Sequence, residues 1–363
     1  MLNDLRYAIR TLLKSPGFTT VAVITLALGI GANSAIFSVV NAVLLRPLPY
    51  KDPARLVWIT ESFPQFIGEA VTAPHFLEWQ EQNHVFQFMA ISSYSDFTLT
   101  GGDQPDRVLG ALVSSSFFPL LGVQPVLGRT FLAEENRPGA SRVVILGYSL
   151  WQRRFGGDSN LIGKPLRLNA ETYTVVGVMP ATFQVQFPVP TEMWMPLAIE
   201  APSQPALPKP QRVLVLPGAI ARLKPNITLE AARSDLDTLA RRIALRDSQE
   251  PAGQVRIIPL NEQLVGNLRS ALLVLLGAVS FVLLIGCINV ANLLLARAVT
   301  RQKELAIRTT LGAGRLRLIR QLFTESLLLV ILSGALGLLL ASWGVDLLMA
   351  ITPRDLPRVQ ATA

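Results

Sequence analysis

Few residues in this chain have the types and spacing that chemistry requires. The histidines are His75 and His84, and Cys287 is the single cysteine. Glu78 and Glu81 lie between the histidines, but their order is not the His-Glu-x-x-His that places two imidazoles on one helix face to hold zinc, and no third ligand follows. That segment predicts a surface helix. One cysteine cannot close an internal disulfide, so disulfide scaffolds are excluded along with zinc modules. The acidic residues are scattered and single out no carboxylate pair, and there is no Gly-x-Ser-x-Gly turn to present a nucleophile. Gly157 to Lys164 approaches a phosphate loop, but five residues separate its glycines and Pro165 stands where Ser or Thr should hold magnesium. Asn226-Ile-Thr228 matches a glycosylation sequon, though a helix cap at Thr228 explains it as well. The expectation is no catalytic residue, no metal and no cofactor; if ATP drives this protein, another subunit binds it.

The densest constellation is the stretch from Arg297 to Glu325, with seven Lys+Arg against two Glu. Glu304 and Arg308 stand four residues apart, a turn follows at Gly312 to Gly314, and Arg317, Gln321 and Glu325 then recur every fourth residue. This predicts helix, turn, helix. Composition alone leaves two readings open, a docking element and a solvated basic loop.

The elements that must position this stretch are set by apolar runs. Half of the residues are hydrophobic, 16% are charged, and the mean hydropathy is +0.40. Phe18 to Leu45, Ser270 to Ala296 and Ser326 to Val345 are each uncharged. All three are long enough for a helix rising about 1.5 Å per residue to cross a hydrocarbon core of about 30 Å. The first is too long for a signal peptide's apolar region and predicts a retained anchor. Before it, Leu2, Leu5, Ile9 and Leu12 recur at helical spacing opposite Arg6, Arg10 and Lys14, as in an interfacial helix.

Charge gives orientation and excludes one partner class. Between Arg46 and Asn267 there are 20 Lys+Arg and 20 Asp+Glu, so the chain's net +8 lies entirely outside that region. The surplus flanks membrane spans, which is the positive-inside pattern and not a nucleic-acid footprint. The N-terminus and the 297–325 loop are therefore expected in the cytoplasm, and the region between the first two spans outside. Within the spans, Gly31 and Ala35, and Ser333, Gly337 and Ala341, recur at four-residue spacing, which lets helix backbones approach closely. Asn289 and Asn292 in the second span are expected to face another helix, because unsatisfied amides are costly in hydrocarbon.

The outer region, 46–269, holds 22 of the 25 prolines, which excludes further membrane helices. Short β-rich runs (Leu56 to Thr60, Val143 to Leu146, Thr172 to Val176, Val213 to Leu216) alternate with helical patterns. The clearest helix follows Thr228, with Leu229, Ala232, Leu236, Leu239 and Ile243 on one face. The expected fold is three transmembrane α-helices with a large α+β domain inserted between the first and second, in two lobes joined near Ala201 to Pro210. The boundaries are a cytoplasmic amphipathic helix at 1–17, spans at 18–45, 270–296 and 326–349, the outer domain at 46–269, the cytoplasmic loop at 297–325 and an outer tail at 350–363.

The order Arg301-x-Lys303-Glu304-x-Ala306-Ile307-Arg308, then Leu311-Gly312-Ala313, Arg315 and Gln321, closely resembles the loop between the second and third spans of MacB/FtsX-type ABC-transporter permeases. The start is similar to the duplicated branch of that family, through Asp4 to Arg10, Ser15 to Phe18, Leu26 to Asn33 and Leu45 to Pro49. Phe117 to Val123, Val143 to Trp151 and Val175 to Pro180 resemble its periplasmic core domain. The resemblance implies a bacterial inner-membrane permease subunit that exports or extracts a substrate. It places the docking of a separate ABC ATPase near Arg301, Lys303, Glu304, Arg308, Gly312, Ala313, Arg317, Gln321 and Glu325, with the outer domain moving in response. It also implies a homodimer or a second permease half as partner, and a fourth span, so that a chain stopping after Thr352 is expected to be a fragment or a split gene product. A second reading, from the FtsX-like relatives, is an anchored regulator that activates a cell-envelope hydrolase.

Overall fold

The computed structural model describes residues 2–62, 68–100, 105–183, 191–198, 215–246, 254–300 and 315–351. They form two compact units, one from the two ends of the chain and one from Pro47 to Gly266.

In the first unit, α1 (Leu2–Leu13) and α2 (Pro16–Val40) are separated at Ser15, where Pro16 starts the second helix at a position that needs no amide donor. One π turn, Asn41–Leu45, continues α2. Three helices are long and apolar enough to cross a membrane, over Pro16–Leu45, Leu268–Val299 and Phe323–Gly344. The second and third of these lie in α7 (Leu260–Thr300) and α8 (Arg315–Ile351). Both helices begin well before their uncharged runs, because a polar helical extension costs little once the span has nucleated the helix.

The second unit is built on strands. Among the described residues twelve strands join in one sheet, ordered β10-β2-β1-β11-β3-β4-β9-β6-β8-β5, with β12 on β1 and β7 bridging β3 and β8. The strands are β1 (Leu56–Ser62), β2 (Glu69–Thr72), β3 (Phe86–Thr100), β4 (Asp106–Val113), β5 (Leu127–Gly128), β6 (Val143–Leu146), β7 (Pro165–Leu168), β8 (Glu171–Val178), β9 (Met193–Pro196), β10 (Val215–Leu216), β11 (Ala219–Leu223) and β12 (Gln254–Pro259). Most pairs are antiparallel, but β4–β9 and β6–β8 are parallel, which makes a mixed sheet.

Two lobes share β3. Its first half pairs with β11 and its second half with β4, so one 15-residue strand runs through both. The alternation of side chains along a strand then divides the core. Val57 and Ile59 of β1 join Ile91, Ala219, Ala221 and Ile257 beneath α3 (Ala73–Gln82) and α6 (Leu229–Arg246). Leu56 and Trp58 point the other way, into a cluster with Ala90, Ile220, Ile258 and the phenylalanines of α4 (Phe117–Leu121). A sheet covered on both faces needs unbroken apolar runs, and this explains why Leu56 to Thr60 is buried at every position. The other lobe packs β4 and β6 to β9 around α5 (Tyr148–Phe155) through Val144, Leu146, Leu150, Val175 and Met193.

The α6 pattern shows how local sequence and packing agree. The Thr228 hydroxyl accepts a hydrogen bond from the Ala231 N–H at 3.2 Å, and Ala232, Leu236, Leu239 and Ile243 are all buried. Replacing Leu236, which has no exposed surface, by Ala removes a full core side chain and leaves a cavity. Leu236→Ala is expected to lose about 2–4 kcal/mol, seen as a lowered Tm of the purified chain in detergent, whereas Arg241→Ala on the exposed face leaves Tm within the scatter of repeats.

Candidate functional site

The large domain takes the chain in at Pro47 and passes it on after Gly266. β1 follows the first span and β12 precedes α7, and these two strands pair in register from Val57↔Pro259 to Ser62↔Gln254. The chain's entry and exit are therefore adjacent strands. Leu260, the first residue of α7, is 2% exposed and sits in the cluster of Leu56, Trp58 and Phe117.

A buried guanidinium pins the entry. Arg222 on β11 is 2% exposed. Its Nε donates to the Leu120 carbonyl at 3.1 Å, its Nη2 donates to the same oxygen, and its Nη1 reaches Asp52 Oδ2 at 3.2 Å. The Leu120 carbonyl belongs to the last turn of α4, where the final carbonyls have no intrahelical partner and a cation is favoured. Burial pulls the Arg222 pKa below its ordinary value, opposed by the Asp52 charge. Asp52 also bonds Arg55, and that bond, with the charges of Arg55 and Arg222, holds the Asp52 carboxyl below the usual carboxylate range. Arg55 Nη1 in turn donates to the Leu223 carbonyl at 3.2 Å, and the Lys51 N–H donates to the Leu121 carbonyl at 3.1 Å. Gly122 is required here twice over. It ends α4 at φ +70°, and a Cβ on it would meet Lys51 Cβ at 2.5 Å.

The membrane helices meet at a seam of small residues. A Cβ on Gly31 of α2 would meet the Gly337 carbonyl of α8 at 2.9 Å, and one on Gly337 would meet the Ala27 carbonyl at 2.9 Å and Ile30 Cβ at 3.1 Å. Ala35, Ser333 and Ala341 are buried along the same helices, with Ser333 donating to the Leu329 carbonyl at 2.7 Å. α7 approaches α2 through Gly286, buried beside Thr25, and through Leu283 against Gly29. Asn289 and Asn292 do not join this seam, since both are exposed. The advance of about 100° per helical residue turns Asn292 away from the buried pair Gly286 and Val290 and leaves Asn289 at the flank.

At the far end of α7, Arg297 clamps the elbow between α1 and α2. Its guanidinium lies 4.7 Å from the Phe18 ring centroid and donates to the Ser15 hydroxyl. Thr19 donates to the Leu12 carbonyl at 2.9 Å, fixing α1 at the same elbow. Of the expected docking residues, Arg301, Lys303, Glu304, Arg308, Gly312 and Ala313 lie outside the described residues. Arg317 and Gln321 fall in the first turns of α8, and Glu325 is 6% exposed further along it.

One site escaped the sequence reading. The helix expected at the surface around His75 is α3, but His75 is 5% exposed and its Nδ1 lies 2.8 Å from Oε2 of Glu61, which has no exposed surface. The signal was a carboxylate, Glu61, directly after the buried run Leu56 to Thr60. Its partner, fourteen residues on, could not be paired without the register of β1 and β2. Among the described residues no group of three His, Cys, Asp or Glu could hold a metal.

These features define a class, a membrane protein whose large mixed α+β domain is inserted between its first two spans. Residues 19–239 match the MacB-like periplasmic core domain, and residues 276–359 match the FtsX-like permease C-terminal domain. The chain belongs to the MacB/FtsX-type ABC-transporter permease family, and its large domain is extracytoplasmic. It is similar to the pyoverdine export ATP-binding/permease protein PvdT of Pseudomonas entomophila (strain L48), with 26% identity over 229 residues, covering 63% of this chain and 34% of that one. It is also similar to the macrolide export ATP-binding/permease protein MacB of Escherichia coli, with 27% identity over 231 residues, covering 63% of this chain and 34% of that one. The chain thus spans about a third of the length of the curated relatives it matches. Among solved structures it aligns with the periplasmic region of MacB from Actinobacillus actinomycetemcomitans at a TM-score of 0.44 and 13% identity, covering 60% of this chain and 94% of that one.

Two substitutions separate the junction from the seam. Arg222→Leu strands the Leu120 carbonyl in the core and is expected to cost about 2–3 kcal/mol in the thermal unfolding of the purified chain; Arg222→Lys recovers only part, because one ammonium cannot span both partners. Gly337→Leu forces α2 and α8 apart and is expected to lower Tm by the equivalent of about 1–3 kcal/mol, while Gly334→Leu, where a Cβ meets nothing within 4 Å, leaves it unchanged.

Proposed function

We propose that this chain is the permease part of an ABC export system at the bacterial inner membrane. In this reading a separate cytoplasmic ATPase engages the 297–325 loop, and its cycle moves the extracytoplasmic domain against an exported substrate. The supporting observation is the form of α7. It runs without interruption from Leu260, buried in the domain's core, to Thr300, at the beginning of the loop. A continuous helix resists compression along its axis, so a displacement at one end need not be absorbed by a flexible linker. The Arg297 clamp on Ser15 and Phe18 supports the same reading, because it ties the loop's first residue to the first span's elbow.

Charge supports the orientation. The N-terminal flank (+2) and the 297–325 loop (+5) carry most of the chain's net +8, which keeps such segments on the cytoplasmic side. ATP binding requires a phosphate-binding loop, and no stretch of these 363 residues fits one, which supports assigning hydrolysis to a domain outside this stretch. The relatives named for pyoverdine and macrolide export support a small exported molecule as substrate.

Co-expression with the ATPase encoded nearest the gene tests this reading. The wild-type chain is expected to retain the ATPase through purification, and the pair Glu304→Lys with Arg308→Glu to lose it while still inserting in the membrane. Retention by both would remove the loop from the docking site.

A further inference from the structure

A cavity of about 410 Å³ opens on the large domain where the loop 137–142 crosses β8 and β9. Its volume is in the range of small-molecule sites. Leu112, Met195 and Pro196 form an apolar floor, and Arg137, Ser141 and Tyr173 stand at the rim.

Among the described residues, the charges lining this cavity are matched with one exception. Arg142 pairs with Glu171 at 2.7 Å, and the Tyr173 hydroxyl donates to the same carboxylate at 3.4 Å. Glu135 accepts from both terminal nitrogens of Arg129, at 2.7 and 3.0 Å, and from the Leu132 N–H at 2.8 Å. Burial works to raise the Glu135 pKa, but these bonds outweigh it and leave the carboxyl below its ordinary value, so it stays charged and satisfied. The Arg137 guanidinium and the Ser141 hydroxyl, in contrast, have no hydrogen-bond or ion-pair partner among the described residues.

A turn holds these two donors on one rim. The Ala140 N–H donates to the Arg137 carbonyl at 3.1 Å, Pro138 occupies the second position, and Gly139 takes the third with φ +79°. That is a type II turn, in which proline fixes one dihedral and glycine supplies the positive one. The turn thus sets the backbone of the rim before any ligand arrives, so that binding must order only the side chains.

From this juxtaposition of one unmatched guanidinium, a free hydroxyl and an apolar floor, we propose that the cavity binds a small amphipathic carboxylate. The carboxylate accepts from Arg137 and Ser141, and the apolar body lies on Leu112, Met195 and Pro196. A monoanion is favoured over a phosphate dianion because, among the described residues, one positive charge is left unmatched. Glu135, held charged on the wall, disfavours further negative charge.

The test uses the full chain in lipid nanodiscs and needs no ATPase, so its outcome is independent of the transport reading. N-acetylphenylalanine, a carboxylate at neutral pH, and N-acetylphenylalanine amide, its neutral counterpart, are titrated by calorimetry with empty nanodiscs subtracted. The acid is expected to bind about tenfold more tightly than the amide. Arg137→Gln is expected to bring the acid down to the affinity of the amide without changing Tm, and Arg137→Lys to retain part of the difference. Equal binding of acid and amide, no binding of either, or acid affinity unchanged in Arg137→Gln would each overturn the proposal.

Discussion

The pairing of β1 with β12 is the constraint on which the large domain depends. A domain inserted between two membrane helices must begin and end at the same place, or its insertion would pull the helices apart. Here the requirement is met by backbone hydrogen bonds between the strand that follows the first span and the strand that precedes the second. Six residue pairs in register fix the two strands along their length, and both faces of β1 are covered by core side chains. Because the side-chain period is two, a slip of one residue would exchange Trp58 and Ile59 between unlike cores.

The polar bonds around Arg222 act on the same junction from the side. A buried guanidinium is costly to desolvate, and here its donors meet a helix-terminal carbonyl and a carboxylate, which compensates much of that cost. The result joins three segments far apart in sequence, namely Lys51 to Arg55, the end of α4 and β11. Such a node specifies one position for the entering chain. Gly122 completes it by letting the α4 terminus lie against Lys51 without a side chain between them.

In the membrane unit the governing force differs. Hydrocarbon offers no hydrophobic drive between helices, so close backbone approach at Gly31 and Gly337 supplies the dispersion contacts that hold α2 to α8. α7 is mostly exposed, including Asn289 and Asn292; it meets α2 through Gly286 and Val290, with Leu260 in the domain core and Arg297 on Ser15 and Phe18.

Much of this was legible in the sequence, for physical reasons. The spans follow from length and the absence of charge, since hydrocarbon imposes helix on any chain that crosses it. The α6 face and its Thr228 cap follow from local periodicity, and the strands Leu56 to Thr60 and Val143 to Leu146 from short apolar runs. The four-residue stripes pointed to Gly31 and Gly337, because backbone proximity leaves a compositional trace. What the sequence could not supply was any pairing between distant residues. Arg222 and Arg137 carried no signal of their own in the sequence, and His75 read as part of a surface helix. Only the register of the sheet and the return of the chain decided that Arg222 lies buried on Asp52 and Leu120, His75 on Glu61, and Arg137 at the rim of a cavity. Local pattern determines which residues face inward; the partners they meet there depend on loops whose closure carries no sequence periodicity.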